Sequence, residues 1–588
     1  MHKRVWLPLL AALAMPVSAG SLEGLKPIAV GPLGMVEMNP FGLAPLTAVI
    51  KDAGHSLSQV KVTVEGKGEH GVDISYPVEE RTLANYGGVP VFGLYPNYNN
   101  RVKVEYLLGG KAQTHTYEIW ANQVDFGSAG ASQWAAQPEI KVNQRAPEMA
   151  DRLYLVNFTG PTGGDAQLAH NNPTGPGAFA WDGTPQIFVT DTQGEIRWYL
   201  DPSIHDAKQY DMAGYLMGLH QVDGGKLIFG QGQSYYKMDL LGRLSFKRPL
   251  PGNFIDFSHE IQQMPNGHQL MRVAKKDYLT PEGKLVNTIR DHIIEVDADG
   301  SLVHVWDLNT ILDPYRDVTL SALDMGAVCL NVNLKDAGKQ MTKAELASAP
   351  YGDIPGVGPG RNWAHVNSID YDASDDSIII SSRHQSAVIK IGRDNQVKWI
   401  LSDPRGWSED YQDKLLTPIG ADGQPLSCFK GKCQGEFDWS WTQHTAYLTP
   451  KGTLSVFDNG DGRHNRQPMF AKDKYSRAVE YRIDEQKMTV EQVWDYGKER
   501  GWEWYSPVTS IVEYQEDHDS MMVYSASAML FGVGGGLGNF KHSEGAGIVK
   551  SNLVELKYGT DEVLVDMDIN SNRLGATGYR AVVIKPEF

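Results

Sequence analysis

Cysteine is scarce in this chain, three residues among 588, so no disulfide framework substitutes for a hydrophobic core. Long apolar runs are missing too. The run from Val5 to Ala14 is too short to span a bilayer, and no later segment is long enough either. Basic residues are outnumbered, 54 Lys and Arg against 71 Asp and Glu, for a net charge of −17. That balance argues against nucleic acid or an anionic membrane surface as the main partner. Helical heptads are absent while glycine is plentiful, which favours an all-β fold. The glycine-rich segments Gly356-Val-Gly-Pro-Gly and Gly532-Val-Gly-Gly-Gly-Leu-Gly lack the Gly-Lys-Ser/Thr ending of a phosphate loop and read as rim loops. No Gly-x-Ser-x-Gly elbow supports seryl acyl transfer. Asp458-Asn-Gly-Asp-Gly-Arg lacks EF-hand spacing.

The N-terminus carries export information. His2, Lys3 and Arg4 precede the apolar run, and Val17-Ser18-Ala19 is a small-residue cleavage pattern. Residues 1–19 therefore read as a signal peptide cleaved near Ala19, with the mature protein exported to the periplasm. In an oxidising compartment Cys428 and Cys433, within Cys-Phe-Lys-Gly-Lys-Cys, would join and hold the shape of a short loop ahead of His444. Metal ligation by that pair finds no third or fourth ligand nearby. Cys329 sits in an apolar context as a buried thiol.

Two regions follow the leader. Residues 20–130 alternate apolar and polar side chains in short runs, as in Arg101-Val-Lys-Val-Glu-Tyr-Leu-Leu, the pattern of an N-terminal β-sandwich domain. A Gly-, Ser-, Ala- and Pro-rich stretch makes residues 131–151 a linker. From 152 to 588 a turn-then-strand unit recurs, often ending in Trp: Asp191-Thr-Gln-Gly-Glu-Ile-Arg-Trp, Asp239-Leu-Leu-Gly-Arg-Leu-Ser-Phe, Asp297-Ala-Asp-Gly-Ser-Leu-Val-His-Val-Trp. Further copies begin at Arg393, Asp484 and Lys557. Six copies predict a six-bladed β-propeller, with an insertion around 313–361 that is partly helical near Met341. Two stacked β-sandwiches are the competing architecture.

Four histidines open similar stretches: Leu-His220-Gln-Val, Ser-His259-Glu-Ile, Ala-His365-Val-Asn367-Ser and Gln-His444-Thr-Ala. In a propeller the first strand of each blade lines the channel, so such residues converge. Strand alternation places Asn367 with His365, Arg383 with Ser381, and Thr442 with His444, while His384 turns into the blade. Thr509 opens the last blade. A lone strand histidine is usually structural, but several in register with Arg383 suit an anion better than a metal, since the guanidinium repels a cation. One imidazole can act as nucleophile and another can handle a proton.

The combination resembles the bacterial periplasmic arylsulfate sulfotransferases. The matching pieces are Phe-Ser-His259-Glu, Asn362-Trp-Ala-His365-Val-Asn367-Ser, Ser-Ser-Arg383-His-Gln-Ser, the Cys428–Cys433 loop and Trp439-Ser-Trp-Thr-Gln-His444-Thr. The resemblance implies transfer of a sulfuryl group from a phenolic sulfate ester to a phenol. The route is ping-pong through a sulfurylated histidine, with no cofactor and no nucleotide donor (PAPS). It implies His444 as nucleophile, with His365, Asn367 and Arg383 on the sulfuryl oxygens. His259 contacts the phenolic oxygen and serves proton transfer, and Thr509 is a further contact. A homodimer paired through the N-terminal domain, and a periplasmic thiol-oxidising system for the disulfide, are implied likewise. Tyr95, Tyr98 and Trp504 are candidates to stack on the aryl group, with ordinary packing as the equal alternative. The alternative is a non-catalytic propeller that binds an anionic or protein ligand in its channel. A propeller hydrolase or dehydrogenase would need calcium or a quinone, for which no carboxylate ring or stacking pattern is present.

Overall fold

The computed structural model describes residues 29–126, 137–163, 182–204, 215–323, 327–328, 331–332, 340–466, 469, 473–528, 549–570 and 577–588. The expected signal peptide, Cys329 and the 532–541 glycine run lie outside them. Among the described residues no helix is long and apolar enough to cross a membrane.

Two sheets form the N-terminal domain. Val36–Met38, Thr47–Lys51 and Gly88–Phe92 make one, and Ile74–Val78, Leu57–Val64, Tyr98–Leu108 and Lys111–Ala121 make the other. Alternation explains their packing: Val60, Val62, Val64, Val102 and Val104 point inward and are buried, with charged neighbours such as Lys61 and Lys103 between them. The domain is seated on the rest of the chain. Arg197 donates to the carbonyls of Gly93 and Val72, and the Tyr86 hydroxyl donates to Asp239.

The body is built from antiparallel sheets numbered I to VI here. Sheet I holds Thr577–Val583, Leu153–Gly163, Asp182–Asp191 and Ile196–Tyr199, so the chain's last strand closes the ring against one of its first. Sheet II runs Met217–Val222, Lys226–Gln231, Ser234–Met238, Leu244–Pro249. Sheet III has Ile261–Gln263, Gln269–Lys275, His292–Val296 and Leu302–Asp307. Sheet IV has Val366–Asp372, Ser377–Ser382, Ala387–Gly392 and Val397–Leu401. Sheet V has Thr445–Leu448, Leu454–Asp458, Arg477–Asp484 and Thr489–Tyr496. Sheet VI has Ile511–Gln515, Ser520–Ala528, Lys550–Lys557 and Val563–Asn570. The first strand of each sheet neighbours the next sheet around a closed ring, the arrangement of propeller blades.

Each copy of the repeated turn falls in the outermost hairpin of its sheet. Asp191, Asp239, Asp297 and Asp484 accept hydrogen bonds from backbone N–H groups two to four residues on, which is why the motif is readable locally. Its Trp reaches across to the following sheet. Trp198 Nε1 donates to the Leu240 carbonyl, Trp306 Nε1 to that of Gly392 and Trp399 Nε1 to Glu485.

Some expectations need correction. Residues 139–145 are not linker: Glu139–Arg145 pairs with Val563–Asn570 as the outer edge of sheet VI. Its alternating Ile140, Val142 pattern was hidden by the polar stretch before it. Gly356 to Gly360 is buried rather than a free rim loop. The insertion does contain a helix, Lys343–Ser348, with a Thr342/Glu345 capping box. Cys428 and Cys433 are joined as expected, facing each other across a two-residue ribbon. Gly431 at its tip has φ 78°, and an added Cβ there would lie 2.9 Å from the Trp441 ring. The loop therefore rests on the residue that leads into Thr442 and His444.

Candidate active site

His259 and His365 sit at the entrances to the first strands of sheets III and IV, with φ of 69° and 49°. Thr442, just before His444, and Thr509, before sheet VI, also take positive φ, 50° and 62°. Non-glycine residues adopt this region at a cost of order 1–3 kcal/mol, which the surrounding structure must hold in place. The turn of backbone brings the rings together. His259 lies 5.2 Å from His365 and 5.7 Å from His444 between ring centroids, and all three are buried. Tyr579, from the closing strand, lies 5.5 Å from His444 and 6.1 Å from His259.

These kinks also break the simple alternation of the strands. His384 does not turn away into the blade: its ring is 4.5 Å from that of His365, because Arg383 and His384 occupy the turn after Ser382 rather than the strand. Thr442 is not aligned with His444; its Oγ1 donates to the carbonyls of Trp441 and Asp461. Thr509 Oγ1 donates to the Val508 carbonyl and lies 3.0 Å from Ser527 Oγ.

His220 does not join the ring cluster. It is 21% exposed, its Nδ1 is 3.9 Å from Glu260, and it lines a separate cavity of about 270 Å³ with Gln262, Asp370, Glu513 and Arg580. Arg580 stands between the two places, donating to Glu260 and to the Asn367 carbonyl. The aromatic candidates for stacking on a ligand are elsewhere. Tyr95, of the N-terminal domain, is buried against Arg197 of sheet I, Tyr98 packs edge-on against Tyr95, and Trp504 is buried with Nε1 on Asn552. Their aromatic character was read without their hydrogen-bond partners, which are distant in sequence. The Asp458 turn is likewise occupied, its carboxylate held by Arg463 and Arg477.

Hydrogen bonding gives each imidazole a definite form. The Ser510 carbonyl, 3.0 Å from His444 Nδ1, can only accept. The His444 proton therefore sits on Nδ1, and Nε2 carries a lone pair. His259 is the reverse. Arg272 Nη2 lies 2.6 Å from its Nδ1, and a guanidinium cannot accept, so Nδ1 is the lone pair and Nε2 carries the proton. His365 repeats this arrangement. Asn362 Nδ2, fixed in orientation by Asp353, donates to its Nδ1 at 2.8 Å, and Arg290 Nη1 is 3.3 Å away. Burial, then these guanidiniums, hold His259 and His365 well below the usual histidine range. Burial and Arg580 do the same for His444.

Two further side chains are poised for an anion. Arg383 donates Nη2 to the Pro507 carbonyl, but among the described residues its buried Nε and Nη1 meet no partner. Asn367 has both side-chain polar atoms in that state. Unmet buried donors cost roughly 1–3 kcal/mol each, so their retention points to a ligand.

The arylsulfotransferase family model matches residues 139–580, and the arylsulfotransferase Ig-like domain matches residues 35–122. The chain belongs to the arylsulfotransferase family. Its similarity to the arylsulfate sulfotransferase AssT of Escherichia coli O6:H1 (strain CFT073) is 47% identity, over 98% of this chain and 96% of that protein. The protein of the same name from Lelliottia amnigena is 45% identical over 98% of this chain and 97% of its own length. Among solved structures, the β-propeller domain of Myceliophteria thermophila Cps50 (Swd1) aligns at TM-score 0.29 and 9% identity, covering 72% of this chain and 98% of that one. That likeness is too remote to bear on the site.

Within this sulfotransferase, sequence reasoning missed Tyr579, Arg580, Arg272, Arg290 and Asp353. Asp353 lies in the 313–361 insertion, which through Asn362 and Arg290 reaches His365. The local sequence carries no mark of these roles, since each partner comes from another strand or loop.

Proposed function

We propose that this arylsulfate sulfotransferase works by a ping-pong route through sulfurylated His444. The observation that carries it is the Nδ1–H of His444 on the Ser510 carbonyl, which leaves Nε2 as a fixed nucleophile. Nε2 attacks the sulfur of an aryl sulfate ester, the S–O(aryl) bond breaks, and the phenolate departs. The ring becomes a sulfurylated imidazolium whose Nδ1–H stays on Ser510, so the carbonyl stabilises the positive charge as it forms. An acceptor phenolate then attacks sulfur and regenerates neutral His444. Arg383, Asn367 and His365 Nε2–H hold the sulfuryl oxygens, His259 Nε2–H meets the phenolic oxygen, and Thr509 borders the Ser510 carbonyl. No nucleotide donor is required, consistent with glycine-rich segments that lack a phosphate loop.

The same reading places the mature chain, starting near Gly20, in the periplasm, where a thiol-oxidising system forms Cys428–Cys433. It pairs as a homodimer through the N-terminal domain. The test is peptide mass spectrometry after brief exposure to 4-nitrophenyl sulfate without acceptor. One equivalent of nitrophenol and a sulfuryl adduct on the His444 peptide, discharged by phenol, are expected. Steady nitrophenol release with no adduct would remove His444 from its role. Binding without any release would favour the non-catalytic channel.

A further inference from the structure

We infer that Arg272 and Arg290 are positioning residues that lock His259 and His365 as neutral hydrogen-bond donors, so the site stabilises a leaving phenolate without protonating it. The inference rests on the sulfuryl-transfer reading above and adds a basis for choosing aryl over alkyl esters.

The geometry is specific. Arg272, on the second strand of sheet III, is fully buried and aims Nη2 at His259 Nδ1, with Ser258 Oγ also 2.6 Å from that atom. Arg290 is buried, paired with Asp353 at 2.7 Å, and aims Nη1 at His365 Nδ1 beside Asn362. A second proton on either ring would have to sit on the nitrogen that faces a cation. It would meet the guanidiniums already around it: Arg272, Arg290 and Arg580 about His259, and Arg290 and Arg383 about His365. The nearby carboxylates are engaged elsewhere. Asp353 is held by Arg290 and Asn362, Glu260 by Arg580 and Tyr447, and Asp256 by Gln233.

The chemical consequence concerns the leaving group. A neutral imidazole whose remaining proton is on Nε2 is a good donor and a very weak acid. When the S–O bond breaks, the electron pair stays on oxygen and the His259 proton stays on nitrogen, in place of the proton transfer that the family resemblance implies for His259. Phenolates tolerate that charge. Alkoxides, far more basic, do not, so alkyl sulfates are poor donors here. In the second half-reaction the acceptor enters as phenolate, having lost its proton to water, and the released phenolate regains one from water.

The test combines neutron diffraction on the full chain with kinetics of Arg272→Met and Arg272→Lys. In the wild type, deuterium is expected on Nε2 and not Nδ1 of His259 and His365, and on Nδ1 of His444. Deuterium on Nδ1 of His259 or His365 overturns the lock, and this arm stands even if the Met variant does not fold. For Arg272→Met, free tautomer exchange lowers the nitrophenol burst at pH 7.5 by about tenfold to a hundredfold. Burial, Arg290 and Arg580 still hold His259 below the usual histidine range, so the rate recovers only at acidic pH, where His259 gains a proton and becomes a true acid. Arg272→Lys, which still donates, retains the flat profile. A loss of equal size at every pH means Arg272 is merely structural. If the wild type releases no nitrophenol, the sulfuryl-transfer reading fails, while the neutron result still decides the tautomers.

Discussion

Replacing Arg383 by Met separates a ligand-binding guanidinium from a structural one by the sign of two effects. The Arg383 guanidinium donates to the Pro507 carbonyl, and among the described residues its other two nitrogens, both buried, meet no partner. Removing the unmet donors relieves roughly 1–3 kcal/mol each, while orphaning the carbonyl costs a similar single amount. Methionine fills much of the same volume. The net expectation is unchanged stability, or a gain of about 1–3 kcal/mol.

Activity should move the other way. Two charge-assisted hydrogen bonds to sulfuryl oxygens, at about 1.5–3 kcal/mol each, amount to roughly 3–6 kcal/mol of transition-state stabilisation. That corresponds to a fall of about 10²- to 10⁴-fold in kcat/KM. Arg383→Lys keeps the charge but loses the fork, and should fall between. Urea denaturation gives the first quantity, and single-turnover nitrophenol release gives the second. An Arg383→Met protein destabilised by several kcal/mol with normal turnover would refute the argument, because it would make Arg383 a strut.

The nitrophenol burst should show no acid limb at the ordinary histidine value near pH 6.5, because burial and Arg580 hold His444 neutral well below it. A pre-steady-state pH series checks this, and a limb centred near 6.5 would mean that His444 is solvated. Replacing Cys428 and Cys433 by Ser should cost about 2 kcal/mol, since the closed loop is short. It should also slow the burst, as the loop supports Trp441 ahead of His444. Guanidinium melts and stopped-flow on the same preparation separate the two effects.

What the sequence revealed followed the range of the forces involved. The Asp-led turns were legible because an aspartate capping its own backbone is a local event, complete within a few residues. His259, His365 and His444 stood out through recurrence, and three rings do meet. The fourth, His220, shares the strand pattern but lies on the far side of Arg580. Period-two alternation could not show this, nor the contact of His384 with His365. It assumes extended backbone, and the left-handed residues at His259, His365 and Thr442 interrupt that. Arg272, Arg290 and Tyr579 were illegible for another reason: each acts on a residue of a different strand.

The interrupted backbone and the buried imidazoles belong to one design. A regular strand would point alternate side chains at the channel at fixed spacing, leaving each histidine free to choose its tautomer in water. Here the positive-φ entrances push His259 and His365 toward His444. Dry surroundings then make every remaining hydrogen bond decisive. The Ser510 carbonyl holds the proton of one ring on Nδ1 and leaves its Nε2 a lone pair, whereas Arg272 and Asn362 donate to Nδ1 of the other two and leave their protons on Nε2. Three chemically identical side chains thus take two different hydrogen-bonding forms. The difference is set by which nitrogen each partner faces, not by where the histidines fall in the repeat.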